Sequence, residues 1–148
     1  MKRFLPVLLA ILSGCSPTVN ETEMGAQLVK SASSDEHDWN NIVAKVQSPS
    51  APFVSNIEFV RKEGKSVTEI LSALPDEYPY PVIFVADETT FKFPDKSCLV
   101  IDLTDDSRPR FRALPKTLAE IENNLSTSNM DFSEYASKAQ ETGVFRGF

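Results

Sequence analysis

Val82-Ile83-Phe84-Val85-Ala86 and, twelve positions beyond Ala86, the run opening Cys98-Leu99-Val100-Ile101-Asp102-Leu103 decide the fold. Each is an apolar stretch of strand length. A strand that is apolar on both faces must be covered on both, which places it inside a sheet with helices packed against it. Asp87 ends the first run, and only residues 88–97 then connect it to the second. A parallel crossover takes a dozen or more residues. If the two strands are instead antiparallel neighbours, Asp87 and Asp102 lie at opposite edges of the sheet and cannot share a ligand.

Working outward, the residues from Gln27 to Ala32 suit a first strand. Trp39, Ile42, Val43 and Val46 follow at i, i+3, i+4 and i+7, the stripe of an amphipathic helix begun at Ser34 and Asp35 and ended by Pro49 and Pro52. Between Val54 and Val60, Ile57 and Phe59 alternate with Asn56 and Glu58, the period of a half-buried strand. Ser66 and Glu69 form a capping box ahead of a second stripe, Val67, Ile70, Leu71 and Leu74. Beyond the two apolar runs, Phe111 to Leu114 reads as a short edge strand stopped by Pro115. Thr117 with Glu120 caps a helix carrying Leu118, Ile121 and Leu125. Asp131 with Glu134 caps another, in which Met130 and Tyr135 are spaced as a hydrophobic staple and Gly143 is the terminator. The order predicts a single α/β domain with a mixed sheet of about five strands and about four helices.

The start reads differently. Met1, Lys2 and Arg3 precede an apolar run from Phe4 to Leu12, then Ser13, Gly14 and Cys15. That is a positive segment, a short apolar segment and small residues, the pattern of an export signal, and it is shorter than the roughly 20 apolar residues of a membrane span. Leu12-Ser13-Gly14-Cys15 resembles the lipobox of bacterial lipoproteins. The resemblance implies cleavage before Cys15 and acylation of its thiol, with the lipid bilayer as partner. Ser16, rather than aspartate, then points to the outer membrane facing the periplasm. Residues 15–25 read as a polar tether and 26–148 as the domain.

Removal of the first fourteen of 148 residues leaves 134, enough for one domain with a hydrophobic core. It also removes Lys2 and Arg3, taking the formal charge from −6 to −8. An acidic surface repels nucleic acid and anionic lipid surfaces and favours a basic protein partner. With Cys15 acylated, Cys98 is the one remaining cysteine of two, so no intrachain disulfide can form. Its apolar context suits a buried thiol. His37 is the only histidine, leaving few candidates for a histidine-based metal site or triad.

There is no phosphate-cradling glycine loop, nucleophile elbow or paired-cysteine motif, and no cofactor is expected. Asp102, Asp105 and Asp106 allow a divalent metal, but acidic residues before Ser107-Arg108-Pro109 are ordinary turn formers. The most distinctive residues are Asn123, Asn124, Asn129 and Asp131, followed by Gly143-Val144-Phe145-Arg146-Gly147-Phe148. The asparagines suit helix ends. With Asp131 and Arg146 they also form the candidate binding surface. Phe145 and Phe148 are expected to dock on the domain.

Glu-Asn-Asn-Leu-Ser from Glu122, Asn-Met-Asp-Phe from Asn129 and the Gly-Val-Phe-Arg-Gly-Phe ending resemble an uncharacterised bacterial family, a domain of unknown function, over roughly residues 27–148. Ala119 departs from that family, which carries an aromatic residue there, and the resemblance implies no activity. Three classes of function follow from the residues. The preferred one is a tethered, non-enzymatic protein-binding module, with masking of a basic toxin, as in immunity proteins, as one form. The others are a metal-assisted hydrolase using Asp102 and its neighbours, and a structural envelope lipoprotein.

Overall fold

A computed structural model describes residues 25–148. The expected signal, Cys15 and nearly all of the tether lie outside the described residues. Five strands, β1 (Gln27–Lys30), β2 (Glu58–Arg61), β3 (Val82–Ala86), β4 (Cys98–Asp102) and β5 (Arg110–Ala113), form one sheet in the order β2-β1-β3-β4-β5. β1 runs parallel to β2 and β3, whereas β3–β4 and β4–β5 are antiparallel. The helices are α1 (Glu36–Val46), α2 (Val67–Ala73), α3 (Glu88–Lys92), α4 (Leu118–Ser126) and α5 (Phe132–Gln140), with a 3₁₀ turn at Pro115–Thr117. The fold is thus the α/β class with a mixed sheet that the apolar runs predict.

All five residues of β3 are buried, and their alternation divides the core in two. Val82, Phe84 and Ala86 join Leu28, Val100 and Phe111 beneath Trp39, Ile42, Ile121 and Tyr135 from α1, α4 and α5. Ile83 and Val85 face the other way with Val29 and Ile101, against Ile70 of α2. Gly25 marks the domain's beginning for a steric reason. A Cβ there would lie 1.4 Å from the Asn56 carbonyl oxygen, so only glycine permits this approach.

Four details differ from the sequence reading. β1 ends at Lys30, and the alternating stretch before Val60 is a strand only over Glu58–Arg61, because pairing extends only as far as β1's four residues. Val54 is exposed instead. The link 88–97 contains α3, opened by reciprocal hydrogen bonds between Asp87 and Thr90. Thr117 does not cap α4 with its side chain. Its hydroxyl donates to the Leu114 carbonyl at 2.7 Å, since the 3₁₀ turn runs directly into the helix.

The fourth concerns the ending. Phe145 is fully buried, edge-on to Tyr135 at 4.9 Å between ring centroids. Its backbone bridges to Ala113 on the sheet edge: the Phe145 N–H donates to the Arg112 carbonyl at 2.7 Å, and the Leu114 N–H donates to the Phe145 carbonyl at 3.0 Å. Phe148 touches the same rings but is 69% exposed, contrary to the expectation that both phenylalanines dock. Gly147, at φ +113°, turns the chain away from the core between them. Urea unfolding should therefore show Phe145→Ala losing about 3–5 kcal/mol, the usual loss for a core phenylalanine. Phe148→Ala should lose less than about 1 kcal/mol. Equal losses would show that Phe148 is buried in solution.

Candidate functional site

From β1 the chain passes to β2 on one flank and then crosses back to β3 on the other. In open α/β sheets, ligands gather in the crevice at the carboxyl ends of the strands where the connections diverge. Here that crevice lies beyond Lys30 and Ala86. Lys30, opposite Ala86 in register, has no exposed surface. Its ammonium is 3.0 Å from Glu63 Oε2, donates to the Ala32 carbonyl at 2.9 Å, and stands 5.4 Å from the centroid of the Phe91 ring. Strand alternation puts it on the inward face with Leu28, so its charge must be met inside the protein.

The neighbours are paired in turn. Arg61 reaches Glu36 at 2.7 Å and Glu63 at 3.3 Å, and Lys96 reaches Asp38 at 3.3 Å. Asp87 accepts from the Thr90 N–H and hydroxyl, both at 3.1 Å, and pairs with the Arg112 guanidinium, which also donates to the Ser97 carbonyl. Burial acts to raise the Asp87 carboxyl, but Arg112 and Thr90 outweigh it and hold it below its usual value of 3.8. The hydrogen bond from Lys30 likewise holds Glu63 down. The Cys98 thiol is buried and, mainly for that reason, pushed up to about 12, so it is not a thiolate near neutrality.

The residues singled out from sequence are divided between two places. Asn123, Asn124, Asn129 and Asp131 surround the turn between α4 and α5. Asn124 is buried, and its amide donates to the Tyr135 hydroxyl at 2.7 Å while its side-chain oxygen accepts from Asn129 at 2.9 Å. Its backbone carbonyl accepts from the Asn129 N–H at 2.9 Å, and the Leu125 carbonyl accepts from the Ser128 N–H at 3.2 Å. With Ser128 at φ +58°, these two bonds make a Schellman closure of α4. Asn123 donates to the Val54 carbonyl at 3.0 Å, tying α4 to the loop before β2. The Asp131 N–H donates to Glu134 at 3.0 Å, as the capping pattern predicts. Burial pushes the Tyr135 hydroxyl up to about 12. Arg146 is elsewhere: half-exposed, 3.5 Å from Asp95.

Asp102 lies opposite Val82, at the end of the sheet away from Asp87, so the antiparallel expectation holds. Its carboxylate accepts from the Thr104 N–H at 2.8 Å and hydroxyl at 2.7 Å, and Asp105 does the same for Ser107, both as turn formers. Among the described residues no group of three or more His, Cys, Asp or Glu is disposed to hold a metal ion, and no helix is long and apolar enough to cross a membrane. Sequence reading passed over Lys30, Glu63 and Arg112. The available signal was a lysine on the inward phase of Leu28-Val29-Lys30.

This architecture defines a single-domain α/β protein whose switch point is ringed by ion pairs. Residues 25–148 match the family described as Domain of unknown function (DUF6924), and the chain belongs to that family. No curated protein sequence matches it.

The Asp87–Arg112 pair gives a pH dependence. Because the folded carboxyl titrates below 3.8, its stabilisation is present above that value and is lost as pH falls through the lowered folded value. Asp87→Asn should be less stable than the native chain near neutrality, and the difference should narrow below about pH 4. Chemical unfolding across pH 2.5–7 (roughly the carboxylate range) measures this. A difference that stays constant would exclude titration of Asp87 as the cause.

Proposed function

We propose that this chain is a lipid-anchored protein of the bacterial envelope whose domain binds a protein partner and does not turn over a substrate. The observation that carries this reading is the closed switch point. Where a fold of this topology would offer free groups to a ligand, Lys30–Glu63, Arg61–Glu36, Lys96–Asp38 and Asp87–Arg112 neutralise one another. Of these groups Lys30 is fully buried and the Arg61–Glu36 pair is exposed, but each is matched by an opposite charge, whereas a catalytic acid or base needs a group free to exchange a proton within reach of substrate.

The lipobox-like Leu12-Ser13-Gly14-Cys15 supports the anchor, with Ser16 favouring the outer membrane on its periplasmic side. A mature charge of −8, reached by loss of Lys2 and Arg3 from a chain of −6, suits a basic partner, as in an immunity-type complex. Asp102 lends no support to a hydrolase, since both of its hydrogen bonds serve the turn at Thr104.

Expression in a bacterial host tests the anchor. The native chain should partition into the detergent phase and carry acyl mass on the peptide beginning at Cys15, while Cys15→Ser should remain unprocessed or enter the aqueous phase. Recovery of unmodified native protein from the soluble fraction would overturn the anchored reading. Thermal melts of the purified full-length chain address the hydrolase alternative. Magnesium, calcium, manganese and zinc should each leave the Tm unchanged, because a ligand bound only by the folded state must raise it. A rise abolished by Asp102→Asn would favour the hydrolase.

A further inference from the structure

The docked ending builds a second feature. Phe145 is fixed by burial and by its two backbone hydrogen bonds to the sheet edge, which holds the next residue, Arg146, on the surface beside the 3₁₀ turn. There a cavity of about 340 Å³ is lined by Lys45, Asp95, Leu114, Pro115, Lys116 and Arg146. Its volume is at the lower end of the roughly 300–1,000 Å³ of small-molecule sites. The three cations come from separate parts of the chain: the last turn of α1, the 3₁₀ turn and the C-terminal segment.

The charges do not balance. Asp95 is the one carboxylate lining the cavity, and it is partly committed elsewhere: one oxygen accepts from the Ser97 N–H at 3.1 Å, while the other is 3.5 Å from Arg146. Lys45 and Lys116 make no ion pair among the described residues. A surplus of two positive charges therefore lines this cavity together with Leu114 and buried Pro115, in a chain whose overall formal charge is −6. At the switch point, by contrast, every cation described above has an acidic partner.

We propose that Lys45, Lys116 and Arg146 form a binding site for a phosphate monoester. A phosphate monoester carries roughly −1.5 to −2 at neutral pH, which matches the surplus, whereas a single carboxylate would leave one cation unmatched. Arg146 offers the forked donors that suit phosphate oxygens, and the lysines act as point charges on either side. Asp95 opposes the anion and holds Arg146 loosely until the anion takes over its guanidinium. Leu114 and Pro115 provide an apolar surface for the group esterified to the phosphate. The source of that phosphate is a free ester or a lipid headgroup of the same chemistry. The site does not depend on the anchored, partner-binding reading and can fail or stand independently of it.

Nitrogen-15 NMR of the full-length chain in neutral detergent micelles tests this, with inorganic phosphate and water-soluble dihexanoyl phosphatidic acid titrated at constant ionic strength against chloride. Both probes should shift the Lys116 amide and the Arg146 side-chain Nε–H. Lys116→Gln and Arg146→Gln should each weaken binding by about tenfold, the order expected for one charge-assisted hydrogen bond. Lys62→Gln, outside the cavity, should leave affinity unchanged. All three residues are exposed, and melting curves check that each variant remains folded. Tighter binding of the lipid probe than of inorganic phosphate, with both sensitive to Arg146→Gln, supports the site and assigns the headgroup as source. Equal binding supports the site with a free ester. No localised shift with either probe, or affinities indifferent to both substitutions, would overturn it.

Discussion

A strand buried on both faces needs two covering layers, and the rest of the molecule is arranged around meeting that need for β3. All five of its residues are inside. Leu28 and Val29 of β1 extend its two apolar faces on one side, and Val100 and Ile101 of β4 extend them on the other. Three helices, α1, α4 and α5, cover the face of Phe84, and the short α2 packs on the face of Ile83. Since β1 lies between β2 and β3, the route from β2 to β3 must pass β1 again. This return creates the switch point beside Ala86.

The charge pattern at that point is a consequence of the same burial. Lys30 follows Leu28 on the inward phase of β1, so its ammonium cannot reach bulk water. Glu63, the Ala32 carbonyl and Phe91 meet it instead. An unmatched ion there would carry a desolvation penalty of several kcal/mol. The crevice that topology opens is thereby closed by electrostatics, and the distribution of charge distinguishes it from the unneutralised cluster around Arg146.

The helical end of the molecule follows a comparable logic on a smaller scale. Asn124 makes α4, the turn and α5 into one unit, because its side chain and carbonyl together engage Tyr135, Asn129 and Met130. Tyr135 then supports Phe145, whose backbone extends the exposed edge of β5. The asparagine signature and the aromatic ending are consequently parts of one packed assembly. They occupy different surfaces only where Arg146 leaves it.

Local chemistry determined much of this from sequence alone: the apolar runs of β3 and β4, the stripes of α1 and α2, and the capping pairs at Ser66 and Asp131 each depend on near neighbours. The short link between β3 and β4, residues 87–97, also argued against a parallel crossover, and the antiparallel pairing then separates Asp87 from Asp102. Other outcomes depended on contacts between distant residues. The extent of β2 follows from the length of β1. The partner of Lys30 lies thirty-three positions away at Glu63, and Arg112 meets Asp87 across the sheet. Phe145 is held inside by its bridge to Ala113 at the edge of β5, and Phe148 lies exposed beyond the turn at Gly147. Periodicity reports which face a side chain takes, but ion pairing and docking depend on which faces meet, and only the tertiary structure sets that.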